Sequence, residues 1–163
     1  MKVKEVMTSN PGFCHPESNL AELAALMWEN ACGVIPIVNR SGVVTGMITD
    51  RDICIALGTR NVCASEVKAG DVALPRYFAC GPEDDVRDAL STMATQEVRR
   101  LPVTDKEGKL AGILSIDDLI LCAGNSAGLT FKDVVTALKA IRGVRTHEPI
   151  VVRPTTAVAA STV

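Results

Sequence analysis

Two short segments of the sequence place a hydroxyl residue three positions before an aspartate. They are Thr49 with Asp52 and Ser115 with Asp118, and each pair follows a glycine and two apolar residues. At the start of a helix, a hydroxyl beside free backbone N–H groups favours an anion such as phosphate. A carboxylate one turn later can accept hydrogen bonds from the two hydroxyls of a ribose. Each pair therefore suits a nucleotide.

The same spacing also has a purely structural interpretation. Ser/Thr-x-x-Asp is the pattern of a capping box, in which both side chains satisfy backbone N–H groups of their own helix. Thr130 and Asp133 repeat this pattern at a third place in the chain, where we expect capping alone. The first two pairs share a sequence context that the third lacks, which favours the ligand interpretation for them. Capping stays open as the alternative.

The two pairs occupy equivalent positions in an internal repeat. Residues 72–119 align without a gap on residues 6–53, so that Met93 falls on Met27 and Pro102 on Pro36. Each unit is too small to bury a good core alone, which predicts that the two pack face to face. Such packing creates two related clefts, and clefts of this kind are where small ligands tend to bind.

Each repeat is predicted to fold as strand, helix, strand, strand, helix. Ser18 and Asp84 are the expected N-caps of the first helices, because apolar residues follow them at helical spacing. The second helices are expected to begin at Thr49 and at Ser115, and Gly58 and Gly124 are their expected C-terminal stops. The predicted inner strands are 34–38, 43–48, 101–104 and 109–114.

The repeat divides the chain into three predicted regions. The first repeat with its linker covers 1–64, the second covers 65–123, and a C-terminal extension covers 124–163. The extension is expected to hold a helix at about 131–142, followed by a tail. The predicted fold class is α/β, with two β-α-β-β-α units related by a pseudo-two-fold axis.

The motifs in their order resemble the cystathionine-β-synthase (CBS) domain. The resemblance rests on Val6-Met7-Thr8, on the strands 34–38 and 100–103 with their central prolines, and on the two Gly-x-x-Thr/Ser-x-x-Asp junctions. It covers about residues 1–123, and two such domains in tandem look like a Bateman module. The resemblance implies a disc-like regulatory module that binds AMP, ADP, ATP or S-adenosylmethionine. It also implies a homodimer that reports to an effector protein.

The resemblance implies roles for individual residues. Thr49 and Ser115 would contact phosphate, Asp52 and Asp118 would hold the ribose, and Arg51 would meet phosphate. The second repeat departs from this pattern, because an aspartate follows Ile116 at the position that Arg51 holds in the first. Two like charges at 4 Å cost about 4 kcal/mol at an effective dielectric constant near 20.

The second cleft therefore has three open outcomes. The cleft binds no ligand, it binds an uncharged nucleoside-like group, or it binds a phosphate whose charge is balanced by Arg99 and Arg100. Thr8 supplies a hydroxyl whose counterpart in the second repeat is Leu74, so the two sites are not expected to be equivalent. Four residues would form apolar walls for adenine, or else be ordinary core strand: Ile35, Pro36, Leu101 and Pro102.

Composition and the remaining motifs limit the function further. The chain has 163 residues and a net charge of −2, which gives no electrostatic reason to expect nucleic acid or an acidic membrane as a partner. Its first residues lack the apolar run of a signal peptide, so we expect a cytoplasmic protein. The six cysteines form no C-x-x-C pair and are expected to be reduced structural thiols, with no metal site.

We expect no catalysis and no cofactor, because no P-loop, catalytic triad or zinc-ligand spacing occurs in the sequence. The alternative to a nucleotide sensor is a scaffold or dimerisation protein that has the fold and binds no ligand. The capping interpretation of the two hydroxyl–aspartate pairs is the main support for that alternative. The sequence does not distinguish which nucleotide is bound or whether both clefts are used.

Overall fold

The computed structural model describes residues 1–73, 77–124 and 128–143, and it contains the predicted α/β repeat. The first repeat contributes β1 (Thr8–Ser9), α1 (Leu20–Glu29), β2 (Val34–Val38), β3 (Val44–Thr49) and α2 (Asp50–Arg60). The second contributes α3 (Val86–Thr95), β4 (Arg100–Thr104), β5 (Leu110–Ser115) and α4 (Ile116–Cys122). A last helix, α5, covers Phe131–Arg142, and the predicted tail lies outside the described residues.

The N-terminal strand does not pair within its own repeat. β1 pairs with β5 of the second repeat, with Thr8 opposite Ile113 and Ser9 opposite Gly112. Val3 is fully buried in the core of the second unit, whereas Ala69, near the start of the second repeat, is buried in the core of the first. The segment that precedes each unit in the chain therefore packs into the core of the other unit.

Each unit buries one face of its strands against its own helices. β2 and β3 form an antiparallel pair covered by α1 and α2, and β1, β5 and β4 form a sheet covered by α3 and α4. The largest fully buried side chains include Leu20, Leu23, Ile35 and Ile48 in the first unit and Met93, Leu101, Leu114 and Leu119 in the second. The two cores follow the repeat and contain mainly aliphatic side chains.

The turns of the two hairpins join the units to each other. The Val44 N–H donates to the Gly108 carbonyl at 3.0 Å, and the Leu110 N–H donates to the Gly42 carbonyl at 3.1 Å. Gly42 and Gly108 have φ values of 79° and 77°, a left-handed conformation that glycine adopts without a steric penalty. The two four-residue turns predicted from the repeat thus become a two-fold contact between the units.

The first helices begin one residue later than predicted. Asn19, rather than Ser18, caps α1, and its side chain accepts hydrogen bonds from the N–H groups of Ala21 and Glu22 at 3.0 Å each. Asp85, rather than Asp84, caps α3. The Asp84 carboxylate instead accepts from the Gly81 N–H in the preceding turn. Neighbouring residues that can all cap compete, and the turn before the helix decides between them.

Gly58 does not end the second helix, contrary to the prediction. α2 continues to Arg60 and ends at Asn61, whose φ of 52° provides the left-handed cap. A Cβ atom added at Gly58 would meet no atom within 4 Å. Gly58 is therefore an interior helix residue with open space around it.

We expect Gly58→Ala to stabilise the protein by about 0.5–1 kcal/mol, because alanine loses less backbone entropy than glycine in a helix. Chemical denaturation followed by circular dichroism measures this change. An unchanged or lower free energy of unfolding would contradict the placement of Gly58 inside α2.

The cysteines divide by burial. Cys14 and Cys80 are buried, and burial raises the pKa of each thiol to about 12. Cys54 and Cys63 are exposed. Within the described residues all six thiols are free, and no group of three or more metal-ligating side chains occurs. Cys14 and Cys80 therefore pack as small apolar side chains, because a thiol with so high a pKa is not a thiolate near neutral pH.

Candidate functional site

Both hydroxyl–aspartate pairs lie where a strand ends and a helix begins. At the junction of β3 and α2, one Asp52 carboxylate oxygen accepts from the Thr49 N–H at 2.9 Å and from the Thr49 hydroxyl at 2.7 Å. The Asp52 N–H in turn donates to the Thr49 hydroxyl oxygen at 3.2 Å. Ser115 and Asp118 form the same three bonds between β5 and α4, at 2.7, 2.7 and 3.1 Å.

These bonds form capping boxes, as the structural interpretation predicted. Thr130 and Asp133 make the same bonds at the start of α5, at 3.0, 2.7 and 3.2 Å. The hydrogen bonds alone therefore do not distinguish a ligand site from a helix cap. Each box uses a single carboxylate oxygen, and the second oxygen of Asp52 and of Asp118 accepts no hydrogen bond from any described residue. Both carboxylates are half-buried and can still accept from a ligand.

The surroundings of the second junction are set by the register of the three-stranded sheet. Arg100 lies opposite Ser115, Pro102 lies opposite Ile113, and Thr8 lies on the other side of Ile113. Residues directly opposite each other, and residues two apart on one strand, share a face of the sheet. These five residues therefore form one face, which we call the second-unit sheet face. It carries two hydroxyls, one guanidinium and apolar surface.

Leu101 and Ile35 lie on the other side of their sheets. Leu101 is 0% exposed in the core of the second unit, and Ile35 is 1% exposed in the core of the first. Neither side chain presents a surface to a ligand. Of the four apolar residues considered as adenine walls, Pro36 and Pro102 share the face of the hydroxyl residues, since strand alternation turns Ile35 and Leu101 towards the helices. Both prolines are buried as well.

Fewer described residues surround the first junction. Val34 lies opposite Thr49 and Pro36 lies opposite Met47, so these four residues share a face. Arg51 is exposed at the start of α2. Leu74, which the repeat aligns with Thr8, lies outside the described residues.

Positive charge is supplied differently at the two junctions. The first has Arg51 next to its aspartate, and the second has the exposed Asp117 there. The second junction instead has Arg100 across the strand pair from Ser115, where Cβ atoms lie about 4.5–5.5 Å apart. Neither arginine forms an ion pair with a described residue. Arg99, the other arginine considered for the second junction, is exposed, and its carbonyl accepts from the Ile116 N–H at 2.9 Å.

Sequence reasoning missed two residues on these faces. Met47 and Ile113 each lie two positions before the hydroxyl residue of their junction, on the same side of the strand. The signal was present in the strand period of two, because residues at i and i−2 share a face. Ile113 is half-buried and does not belong to the core of its unit.

The fold and the paired junctions define a tandem pair of CBS domains. The CBS domain family model matches residues 3–59 and 69–123, so the chain belongs to this family and the predicted resemblance and fold class are confirmed. Such domains generally serve regulation rather than catalysis. Within the described ranges, the helices are too short or too polar to cross a membrane.

Particular relatives are similar over most of the chain. The CBS domain-containing protein YhcV of Bacillus subtilis is 31% identical over 134 residues, which cover 81% of this chain and 94% of that protein. The CBS domain protein TA0289 of Thermoplasma acidophilum matches in structure with a TM-score of 0.73 and 22% identity, over 87% of this chain and 76% of that one. The CBS domain pair of MJ0100 matches with a TM-score of 0.67 and 21% identity, over 73% and 92%. The MJ0100 structure contains 5′-methylthioadenosine and S-adenosylmethionine.

Proposed function

We propose that this protein is a regulatory module that binds an adenosine-containing ligand at its strand–helix junctions. The observation that carries the proposal is the second-unit sheet face, which carries Thr8, Arg100 and Ser115. Ser115 is hydrogen-bonded to one carboxylate oxygen of Asp118, and the other oxygen accepts no hydrogen bond from a described residue. A carboxylate oxygen that accepts no protein hydrogen bond suits ribose hydroxyls. The guanidinium suits phosphate or a carboxylate, since it can donate two parallel hydrogen bonds.

The two junctions are proposed to differ in their preference. The first combines Thr49, Arg51 and Asp52, which suits a ligand with phosphate next to the start of α2. The second has Asp117 at that place and holds its guanidinium on the neighbouring strand. Among the described residues, the second junction has more of these groups on one face. The ligand classes to test are AMP, ADP, ATP and S-adenosylmethionine, and the adenosine-type ligands in the MJ0100 structure support this choice.

The output is proposed to be regulatory. Ligand binding between β1 of one repeat and the junction of the other would change how the units pack, and an effector protein would respond to that change. The size of any such response is limited by the difference in ligand affinity between the two packing states. We further propose a cytoplasmic homodimer. No catalytic step belongs to this proposal.

A matched series of three aspartate substitutions tests the ligand sites. Asp52→Ala, Asp118→Ala and Asp133→Ala each remove the carboxylate of an equivalent capping box, so each should cost about 1 kcal/mol of stability. In wild type, a ligand at 100 times its dissociation constant should raise the free energy of unfolding by about 2.7 kcal/mol. We expect Asp118→Ala to lose this gain at the second junction and Asp133→Ala to retain it in full. Thermal unfolding and calorimetric titration with each ligand measure both effects.

The same series separates the sensor from the scaffold alternative. If no adenosine ligand stabilises wild type, or if all three variants bind equally well, the boxes are helix caps only. The geometric identity of the third box with the first two is what favours that alternative.

A further inference from the structure

The two-fold contact between the hairpins has a tyrosine on one side only. The Tyr77 hydroxyl donates to the Val44 carbonyl at 2.8 Å, and the Val44 N–H donates to the Gly108 carbonyl of the other hairpin. The repeat aligns Tyr77 with Pro11 and Val44 with Leu110. Proline has a small ring and no side-chain donor. The position related to the tyrosine contact, beside Leu110, is therefore left without an aromatic ring and without its hydroxyl.

A pocket of about 390 Å³ lies at this related position, and both Pro11 and Leu110 line it. It is formed by the segment after β1, the turn between β2 and β3, and the start of β5, and we call it the hairpin pocket. Its volume is within the range of sites that bind small molecules. It shares no lining residue with the second-unit sheet face, because Leu110 and Ser115 stand at opposite ends of β5.

Two aromatic side chains line the hairpin pocket. Phe13 and His15 make an edge-to-face contact, with ring centroids 5.8 Å apart and an interplanar angle of 76°. The His15 Nδ1 lies 2.9 Å from the Val38 carbonyl oxygen, and since a carbonyl only accepts, Nδ1–H donates there and fixes the ring. Phe13 is 51% exposed, although an aromatic ring gains from burial. The repeat aligns these two residues with Ala79 and Gly81, so the aromatic lining occurs on the side without the tyrosine.

The hairpin pocket also contains one guanidinium. Arg40 lines it from the turn between β2 and β3, and this exposed side chain forms no ion pair with a described residue. The turn itself is fixed, because the Asn39 side-chain oxygen accepts from the N–H groups of Ser41 and Val43 at 2.9 and 3.0 Å. A guanidinium on a fixed turn can donate two parallel hydrogen bonds to a carboxylate.

We propose that the hairpin pocket binds a small aromatic acid that carries a hydroxyl on its ring. The ring takes the place that Tyr77 holds at the related position, the hydroxyl donates to the Leu110 carbonyl, and the carboxylate meets Arg40. The Leu110 N–H donates to the Gly42 carbonyl at 3.1 Å, so the ligand stabilises one of the two hydrogen bonds that join the hairpins. This site is additional to the adenosine site of the proposed function and does not depend on it.

Titration followed by protein NMR tests the ligand class, with para-hydroxyphenylacetate as the probe and phenylacetate as its matched control without the hydroxyl. We expect the probe to bind with a dissociation constant of about 1 mM or below, which is ordinary for a ligand of this size. Phenylacetate should bind about two- to twelvefold more weakly, the effect of one hydrogen bond. The amide signals of Phe13, His15 and Leu110 should shift. Equal binding of both compounds, or no binding of the probe, would overturn the proposal.

Two variants and a matched control locate the binding. Pro11→Tyr supplies the side chain that the second repeat has, so it should fill the pocket and abolish binding. Arg40→Ala should weaken binding at least about fivefold, and as an exposed turn substitution it decides the question even if Pro11→Tyr does not fold. Lys106→Ala is the control, because the repeat aligns Lys106 with Arg40 on the other hairpin turn, and it should bind like wild type. A folded Pro11→Tyr or an Arg40→Ala that binds like wild type, or a weakened Lys106→Ala, would overturn the site.

Asp118→Ala keeps this inference apart from the proposed function. The variant should bind para-hydroxyphenylacetate as wild type does, because Asp118 does not line the hairpin pocket. Loss of probe binding in Asp118→Ala would contradict a separate site. A wild type that binds the probe and no adenosine ligand would support the hairpin pocket and count against the junctions alone.

Discussion

Leu101→Ala should lower the free energy of unfolding by about 2–5 kcal/mol, the range for removing a buried leucine side chain. Leu101 is 0% exposed and belongs to the core that also contains Val86, Met93 and Leu114. The truncation leaves a cavity that the rigid sheet cannot fill, so the lost contacts are not regained. Urea denaturation of wild type and variant measures the difference.

Ile113→Ala is the matched control for this substitution. Ile113 is half-buried on the opposite side of the same sheet, next to Thr8 and Pro102. Its truncation should cost only roughly 1 kcal/mol, because truncating a half-buried side chain loses less buried apolar surface than truncating a fully buried one. We expect ligand affinity to fall in Ile113→Ala. Equal losses of stability in both variants would contradict the assignment of the two faces.

Gly112→Ala should destabilise the protein by about 1–3 kcal/mol, since overpacking at a close contact forces the backbone to move. A Cβ atom at this position would lie 2.6 Å from the Met7 sulfur and 2.9 Å from the Thr8 carbonyl oxygen. The Met7 side chain can turn aside, but the Thr8 carbonyl belongs to β1 and can move only if that strand moves. The pairing of β1 with β5 should therefore loosen, which amide hydrogen exchange at Thr8 and Ile113 can follow.

Gly58→Ala serves as the comparison for Gly112→Ala, because the two substitutions have the same chemistry and opposite expected signs. Both variants reduce the conformational entropy of the unfolded chain to a similar extent. Of the two, only Gly112 has a backbone atom, the Thr8 carbonyl oxygen, within 3 Å of the added carbon. A Gly112→Ala variant as stable as wild type would contradict the close pairing of β1 with β5 in the structure.

Features that depend on neighbouring residues could be predicted from the sequence. The offset between the repeats predicted the order of strands and helices, and the motifs were specific enough to indicate the CBS family. Hydroxyl–aspartate pairs three residues apart form capping boxes wherever a helix begins, because both partners lie within one turn. Cap positions were wrong by one residue at α1 and α3, where the predicted residues Ser18 and Asp84 accept from N–H groups of the preceding turn and the next residue caps the helix.

Contacts between distant residues depend on tertiary packing and could not be predicted in this way. Thr8 lies beside the second junction because β1 crosses to β5, and no local pattern in residues 1–10 specifies a partner about a hundred residues away. Ile35 and Leu101 face the cores because the sheet register places every second residue towards the helices. Trp28 at the end of α1 is exposed, whereas α5 packs on α3 and α4 of the second unit. Local patterns report contacts within a few residues, whereas these three outcomes depend on how whole elements pack.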